Sequence, residues 1–237
     1  DAYQIGTYID EWDCQFESRQ AGIIGEVKKP RVTDIADIRR ITPPVEALNV
    51  DTDAVNAFCR GTEKFVLAGC LARPFERLQF LRGTENLMMD LALNLPEVLK
   101  LLHVIHNFYL EEIEVWCRTD VDGIWFMDDW GAQRSLLIDP AMWRKIFKPL
   151  YDDYIRLIHS YGKKAFMHSD GFISDIIGDL IELKLDALNS QIFCMDIETL
   201  GQKYKGKLTF WGEMDRQHLL PSGTEQEIER AVVRTYQ

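Results

Sequence analysis

Short apolar blocks along the chain alternate with longer stretches in which apolar residues return every three to four positions. The block Gly123–Met127 predicts a buried strand that ends in two adjacent carboxylates, Asp128 and Asp129, followed by Trp130 and Gly131. Five other blocks have the same form. Ile5–Ile9 runs into Asp10-Glu11-Trp12-Asp13, and Lys64–Gly69 ends at Cys70. Lys164–Met167 ends in His168-Ser169-Asp170-Gly171, and Ala187–Asn189 precedes Gln191 to Cys194. Leu208–Trp211 ends in Gly212-Glu213-Met214-Asp215. Helical spacing predicts helices over 52–60, 73–81, 85–94 and 96–117, the last with Val98, Leu101, Leu102, Ile105, Phe108, Ile113 and Val115 on its core face. Further helices are predicted over 140–161 (opened by Pro140, closed by Gly162), 173–183 and 196–204. Thr224 and Glu227 form a capping box that starts a final helix. The stretch 16–48 carries Pro30, Pro43 and Pro44 and no sustained period, so it reads as a long excursion over a sheet or barrel.

This pattern gives six strand–helix units, and strict alternation implies a parallel sheet with helices outside it. An open doubly wound sheet and a (β/α)8 barrel both satisfy it. No Gly-rich phosphate-binding signature follows any strand, and acids with one histidine gather at the strand tips, which favours the barrel mouth. With no internal repeat or low-complexity linker, residues 1–237 read as one TIM-barrel domain.

Composition narrows the function. A net charge of −11 argues against a nucleic-acid backbone as partner. No apolar run reaches the roughly 18 residues of a membrane span and no signal peptide opens the chain, so no membrane partner is expected. The five cysteines are widely spaced with no CxxC, which reads as a reduced, cytoplasmic thiol set.

The runs Asp128-Asp129-Trp130-Gly131, His168-Ser169-Asp170-Gly171 and Phe210-Trp211-Gly212-Glu213-Met214-Asp215 resemble, in order and spacing, the uroporphyrinogen decarboxylase superfamily. So does Leu67-Ala68-Gly69 with the segment from Phe75 to Gly83. The resemblance implies a (β/α)8 barrel, and against it the chain is expected to lack N-terminal and C-terminal segments. It also implies one of two activities, tetrapyrrole decarboxylation or zinc-dependent methyl transfer to a corrinoid. Asp10 resembles the essential aspartate of the decarboxylases. Their tyrosine has no match, Gln79 and Phe80 occupying that region, and Asp128 stands where they carry a serine. Two carboxylates repel a polycarboxylate substrate, by roughly 4 kcal/mol per charge pair at 4 Å and an effective dielectric of ~20. In the methyltransferases a His-x-Cys pair binds zinc, and His168-Ser169-Asp170 occupies that place with Asp for Cys.

The resulting expectation is metal-assisted methyl transfer between a small methylated substrate and a corrinoid carried by a partner protein. A uroporphyrinogen decarboxylase and a catalytically silent tetrapyrrole-binding barrel stay open as alternatives, and a homodimer is compatible with all three. Asp10, Asp128 and Asp129 are the candidate catalytic residues. Trp12, Gln79, Trp130, Glu213 and Asp215 are candidate substrate contacts. His168 and Asp170, whose i, i+2 spacing turns both to one side of a strand, are candidate zinc ligands, with Cys194 as a third. His103 and His106 share a helix face far from any strand tip and read as structural.

Overall fold

The computed structural model describes residues 3–22, 24–70 and 72–236. The chain opens with an antiparallel sheet, β1 (Gly6–Ile9), β2 (Gln15–Ser18) and β3 (Glu26–Lys29), in that order. Ile5–Ile9 therefore forms a strand, but not the first unit of the parallel sheet. The tight turn after it returns the chain at once, so no crossover helix can follow. Asp10 builds that turn: Oδ1 accepts from the N–H groups of Trp12 (3.0 Å) and Cys14 (2.7 Å). Asp13 takes φ +57°. The stretch taken as an excursion thus holds two strands and two short 3₁₀ turns, Ile35–Arg40 and Val45–Leu48.

Helix α1 (Thr52–Arg60) leads to the parallel sheet, β4 (Leu67–Gly69), β5 (Gly123–Met127), β6 (Lys164–Ser169), β7 (Ala187–Ser190) and β8 (Thr209–Phe210). Between β4 and β5 lie α2 (Pro74–Arg82), α3 (Thr84–Ala92) and α4 (Pro96–Cys117). Helices α5 (Pro140–Ile146) and α6 (Lys148–Ser160) follow β5, α7 (Ile177–Glu182) follows β6, and α8 (Ile197–Tyr204) follows β7. Helices α9 (Leu219–Ser222) and α10 (Glu225–Tyr236) close the chain. Five parallel strands, not six, are present among the described residues, in sequential order β4-β5-β6-β7-β8. Sequential order with right-handed crossovers puts every helix on one face, the winding of a (β/α)8 barrel and not of a doubly wound sheet. No helix among the described residues is long and apolar enough to cross a membrane.

Lateral pairing assigns the faces. Trp125 pairs with Phe166, Met127 with His168, and His168 with Asn189. Paired residues of parallel strands point the same way, so these line the concave, barrel-interior face. Ile124, Phe126, Ala165, Met167 and Leu188 point outward and are fully buried under the helices. The predicted helix over 140–161 is two helices joined at Phe147, because Pro149 has no N–H to continue the ladder and fits only the first turn of α6. The predicted helix over 173–183 contracts to α7, Ile177–Glu182.

Candidate metal centre at the strand tips

The two Asp-rich tips are brought together by backbone. Gly131 N–H donates to the Asp170 carbonyl (3.0 Å) and Phe172 N–H to that of Ala132 (2.9 Å). The strands' loops touch at Gly131 and Gly171. A Cβ on Gly131 would lie 2.4 Å from the Gly171 carbonyl carbon, and Gly171 has φ +76°. Only glycine fits either position. The Asp170 N–H then donates to Asp129 Oδ1 (2.8 Å), which seats one carboxylate beside the other tip.

His168 completes the group. Its Nε2 lies 3.5 Å from Asp129 Oδ1 and 3.4 Å from Asp170 Oδ1. All three residues offer a ligand atom, mutually within 4.8 Å. A tetrahedral ion with bonds of 2.0–2.2 Å spaces its ligands by about 3.3–3.6 Å, so the His–Asp separations fit one divalent ion. The imidazole is held in a fixed orientation. The Asn189 side-chain amide donates to the Trp211 carbonyl, which turns its Oδ1 toward His168 Nδ1 at 2.5 Å. Nδ1 is therefore the donor, and Nε2 faces the carboxylates with its lone pair available once deprotonated. Burial alone would lower the His168 pKa. Asp170, Asn189 and Asp129 outweigh it and raise the pKa to about 9. Burial likewise opposes ionisation of Asp170, yet His168 and Arg216 hold its carboxyl below the usual range. Arg216 bonds Asp170 Oδ2 and lies 3.3 Å from Glu213.

Polar atoms without partners gather here. Glu76 Oε2, Arg73 Nε and Trp125 Nε1 are buried with no hydrogen bond among the described residues. Buried polar groups are almost always satisfied, so these atoms are available to a polar partner at the mouth. Glu76, on the first turn of α2, has its pKa raised to about 7, chiefly by burial and then by Asp129, against Arg73 and His168. Trp125 stands edge-on to His168 and Trp211, with centroids at 6.4 Å in both pairs, and Phe166 meets Trp211 at 5.8 Å. These rings form an aromatic wall on the concave face below the cluster.

Other sequence-predicted residues are placed elsewhere. Asp128 is fully buried and points away from the mouth. It accepts from Phe75 N–H and Glu76 N–H, each 2.8 Å, and from the Tyr151 hydroxyl, 2.7 Å. Arg73, the residue preceding α2, offers no cap, so Asp128 caps that helix from a neighbouring strand. Its carboxylate is thus engaged in holding α2 and Tyr151 and is not part of the His168 group. Asp10 is also withdrawn: Oδ1 holds its own turn and Oδ2 pairs with buried Arg77, which also pairs with Glu11. Trp12 and Trp130 are core residues, Trp12 against Phe108 and Tyr109, Trp130 stacked on Phe75 at 4.2 Å. Cys194 does not join the three-residue group. Asp129, expected as a catalytic acid, is the third member of that group, because the Gly131–Gly171 contact draws its loop in. Cys194 instead lines a neighbouring cavity of about 240 Å³ with Glu213, Asp215 and Arg216. Asp215 is occupied in capping the N–H groups of Gln217 and His218, 2.9 Å each. Gln79 lies on α2 one turn beyond Glu76, and its side chain bonds none of the cluster. Asp170 does not cap the following helix, since Ile173 N–H points to Met195 Sδ. His106 is structural as expected, bonded to Tyr154 and Asp153.

Sequence reasoning missed Glu76, Asn189, Arg216 and Trp125. Trp125 had one usable signal: it is two residues before Met127 on a strand whose tip was already identified, hence on the inward face.

The profile of the uroporphyrinogen decarboxylase (URO-D) family matches residues 11–237. No curated protein sequence matches the chain. Among solved structures, a methyltransferase from Methanosarcina mazei is similar, with TM-score 0.68 and 13% identity over 95% of this chain and 67% of that one. At that identity the likeness is one of fold.

Proposed function

The chain belongs to the uroporphyrinogen decarboxylase family, and from that premise we propose that it is a metal-assisted methyltransferase, moving a methyl group from a small methylated substrate to a corrinoid carried by a partner protein. One observation carries the reading: His168 Nε2 sits between Asp129 and Asp170 while Asn189 fixes the ring, an arrangement suited to a metal ligand. These three residues would hold a divalent ion, zinc being the choice that an imidazole and two carboxylates accommodate. The ion, when bound, supplies Lewis acidity to the substrate heteroatom.

The chain's own residues supply the rest. Asn189 sets the imidazole tautomer, and Arg216 holds Asp170 in place. Loss of a methyl group from an oxygen leaves an alkoxide or phenoxide, which must take up a proton. Glu76, near neutrality in its pKa and with an unpartnered oxygen, is the group suited to give it. Trp125 and Trp211 offer ring surface to the body of the substrate. The decarboxylase reading is less well supported, because both oxygens of Asp10 are committed to its turn and to Arg77.

The test is transfer of methyl groups from a panel of methyl ethers, methylamines and methanol to reduced cobalamin, followed by its absorbance change. Turnover with at least one donor, lost in His168→Ala, is the expected result. Turnover of uroporphyrinogen at ~1 s⁻¹ or above, an ordinary enzyme's rate, with no methyl transfer would overturn the reading.

A further inference from the structure

At the opposite end of the parallel sheet, the entries to β6, β7 and β8 border an open cleft of about 890 Å³. Its lining is unlike the rest of a chain of net charge −11: four lysines, Lys163, Lys164, Lys184 and Lys207, face one acid, Asp186. That acid is already neutralised. It accepts from Lys164 Nζ (2.8 Å), His159 Nε2 (2.7 Å) and the Ala165 N–H (2.9 Å). Lys163 donates to the carbonyls of Thr119 (2.7 Å) and Val121 (2.6 Å), which occupies two of its three N–H donors and pairs it with no carboxylate. Lys184 and Lys207 are exposed, and their ammonium groups make no ion pair or hydrogen bond among the described residues.

Lys184 adds an independent observation. It follows α7 with φ +67°, a left-handed position where glycine or asparagine sits at lower cost. Nothing in the turn itself calls for a lysine there. This end of a barrel ordinarily serves stability, and unpaired like charges facing one cleft only oppose it. An anion bridging them removes the conflict. Ammonium groups bind phosphate as point charges, and the cleft has room for two phosphates and more. We propose that this cleft is a binding site for a diphosphate-bearing anion, with Lys184 and Lys207 as its principal contacts. The site is separate from the strand-tip cluster and does not depend on how that cluster is read.

Calorimetric titration of the intact chain with inorganic pyrophosphate and with ADP tests it. Saturable binding of one equivalent is expected, at least tenfold weaker in Lys184→Glu/Lys207→Glu and unchanged in Lys100→Glu/Lys145→Glu, whose lysines are exposed elsewhere. Tighter binding of ADP would assign the site to a nucleotide, and tighter binding of pyrophosphate to the inorganic anion. In the unaltered protein, pyrophosphate should protect Lys184 and Lys207, but not Lys100, from amine acylation read by mass spectrometry. Absence of saturable binding, equal weakening in both double variants, or no selective protection overturns the proposal.

Discussion

Asn189 decides what His168 can do. Its amide is oriented by the Trp211 carbonyl, so it can only accept from His168 Nδ1. Asn189→Ala should weaken zinc binding by roughly 10–100-fold, the usual cost of losing such an orienting partner, measured by competition with a chromophoric chelator. The same measurement against pH tests the imidazole itself. With its pKa raised to about 9, His168 is protonated across the neutral range, and an ion must displace that proton. Zinc affinity should therefore rise about tenfold per pH unit between pH 7 and 9 and level off above. A flat profile would mean that His168 is not a ligand. Glu76→Gln should slow methyl transfer by roughly 100-fold while leaving bound metal unchanged. Some of this was legible in the sequence and some was not. His168 and Asp170 could be read because a strand places i and i+2 on one side. Asp129 is visible in the sequence as a strand-tip acid, but nothing there separates it from Asp128. Two adjacent residues at a strand tip diverge, and nothing local says which turns inward. Glu76 and Asn189 acquire meaning only from residues 53 and 21 positions away, Asp129 and His168.

Helix α2 depends on a carboxylate supplied by a strand more than fifty residues later. Asp128→Ala removes the acceptor from two helix N–H groups and the Tyr151 hydroxyl in a fully buried place. It should cost about 2–4 kcal/mol, read as a lower midpoint in urea unfolding, with Asp128→Asn milder because it keeps one acceptor. Loss of no more than ~0.5 kcal/mol, the usual effect of a surface change, would contradict the capping role. Elements were legible where their period was long. α4 and β5 match their predicted bounds because ten buried positions in one and a continuous apolar run in the other leave little ambiguity. β1 was assigned to the wrong sheet. Its strand-forming residues say nothing about the partner, and the turn that makes it a hairpin is held by Asp10, read as a catalytic acid. The division between α5 and α6 was marked in the sequence by Pro149, which apolar spacing across it concealed.

For the whole molecule, the alternation of strand and helix sufficed to give a parallel sheet, and the sequential strand order then distinguishes barrel winding from a doubly wound sheet. That winding is what brings the C-terminal tips of β5, β6 and β7 side by side, so that Asp129, His168 with Asp170, and Asn189 meet. The proposed chemistry requires that these tips hold a metal ion. Elemental analysis by mass spectrometry, on protein produced with zinc present, tests it most directly. Close to one zinc per chain is expected in the unaltered protein, with its loss in His168→Ala and in Asp170→Ala while circular dichroism shows both variants folded. Metal-free protein that transfers methyl groups at full rate, or zinc retained in both variants, would contradict it.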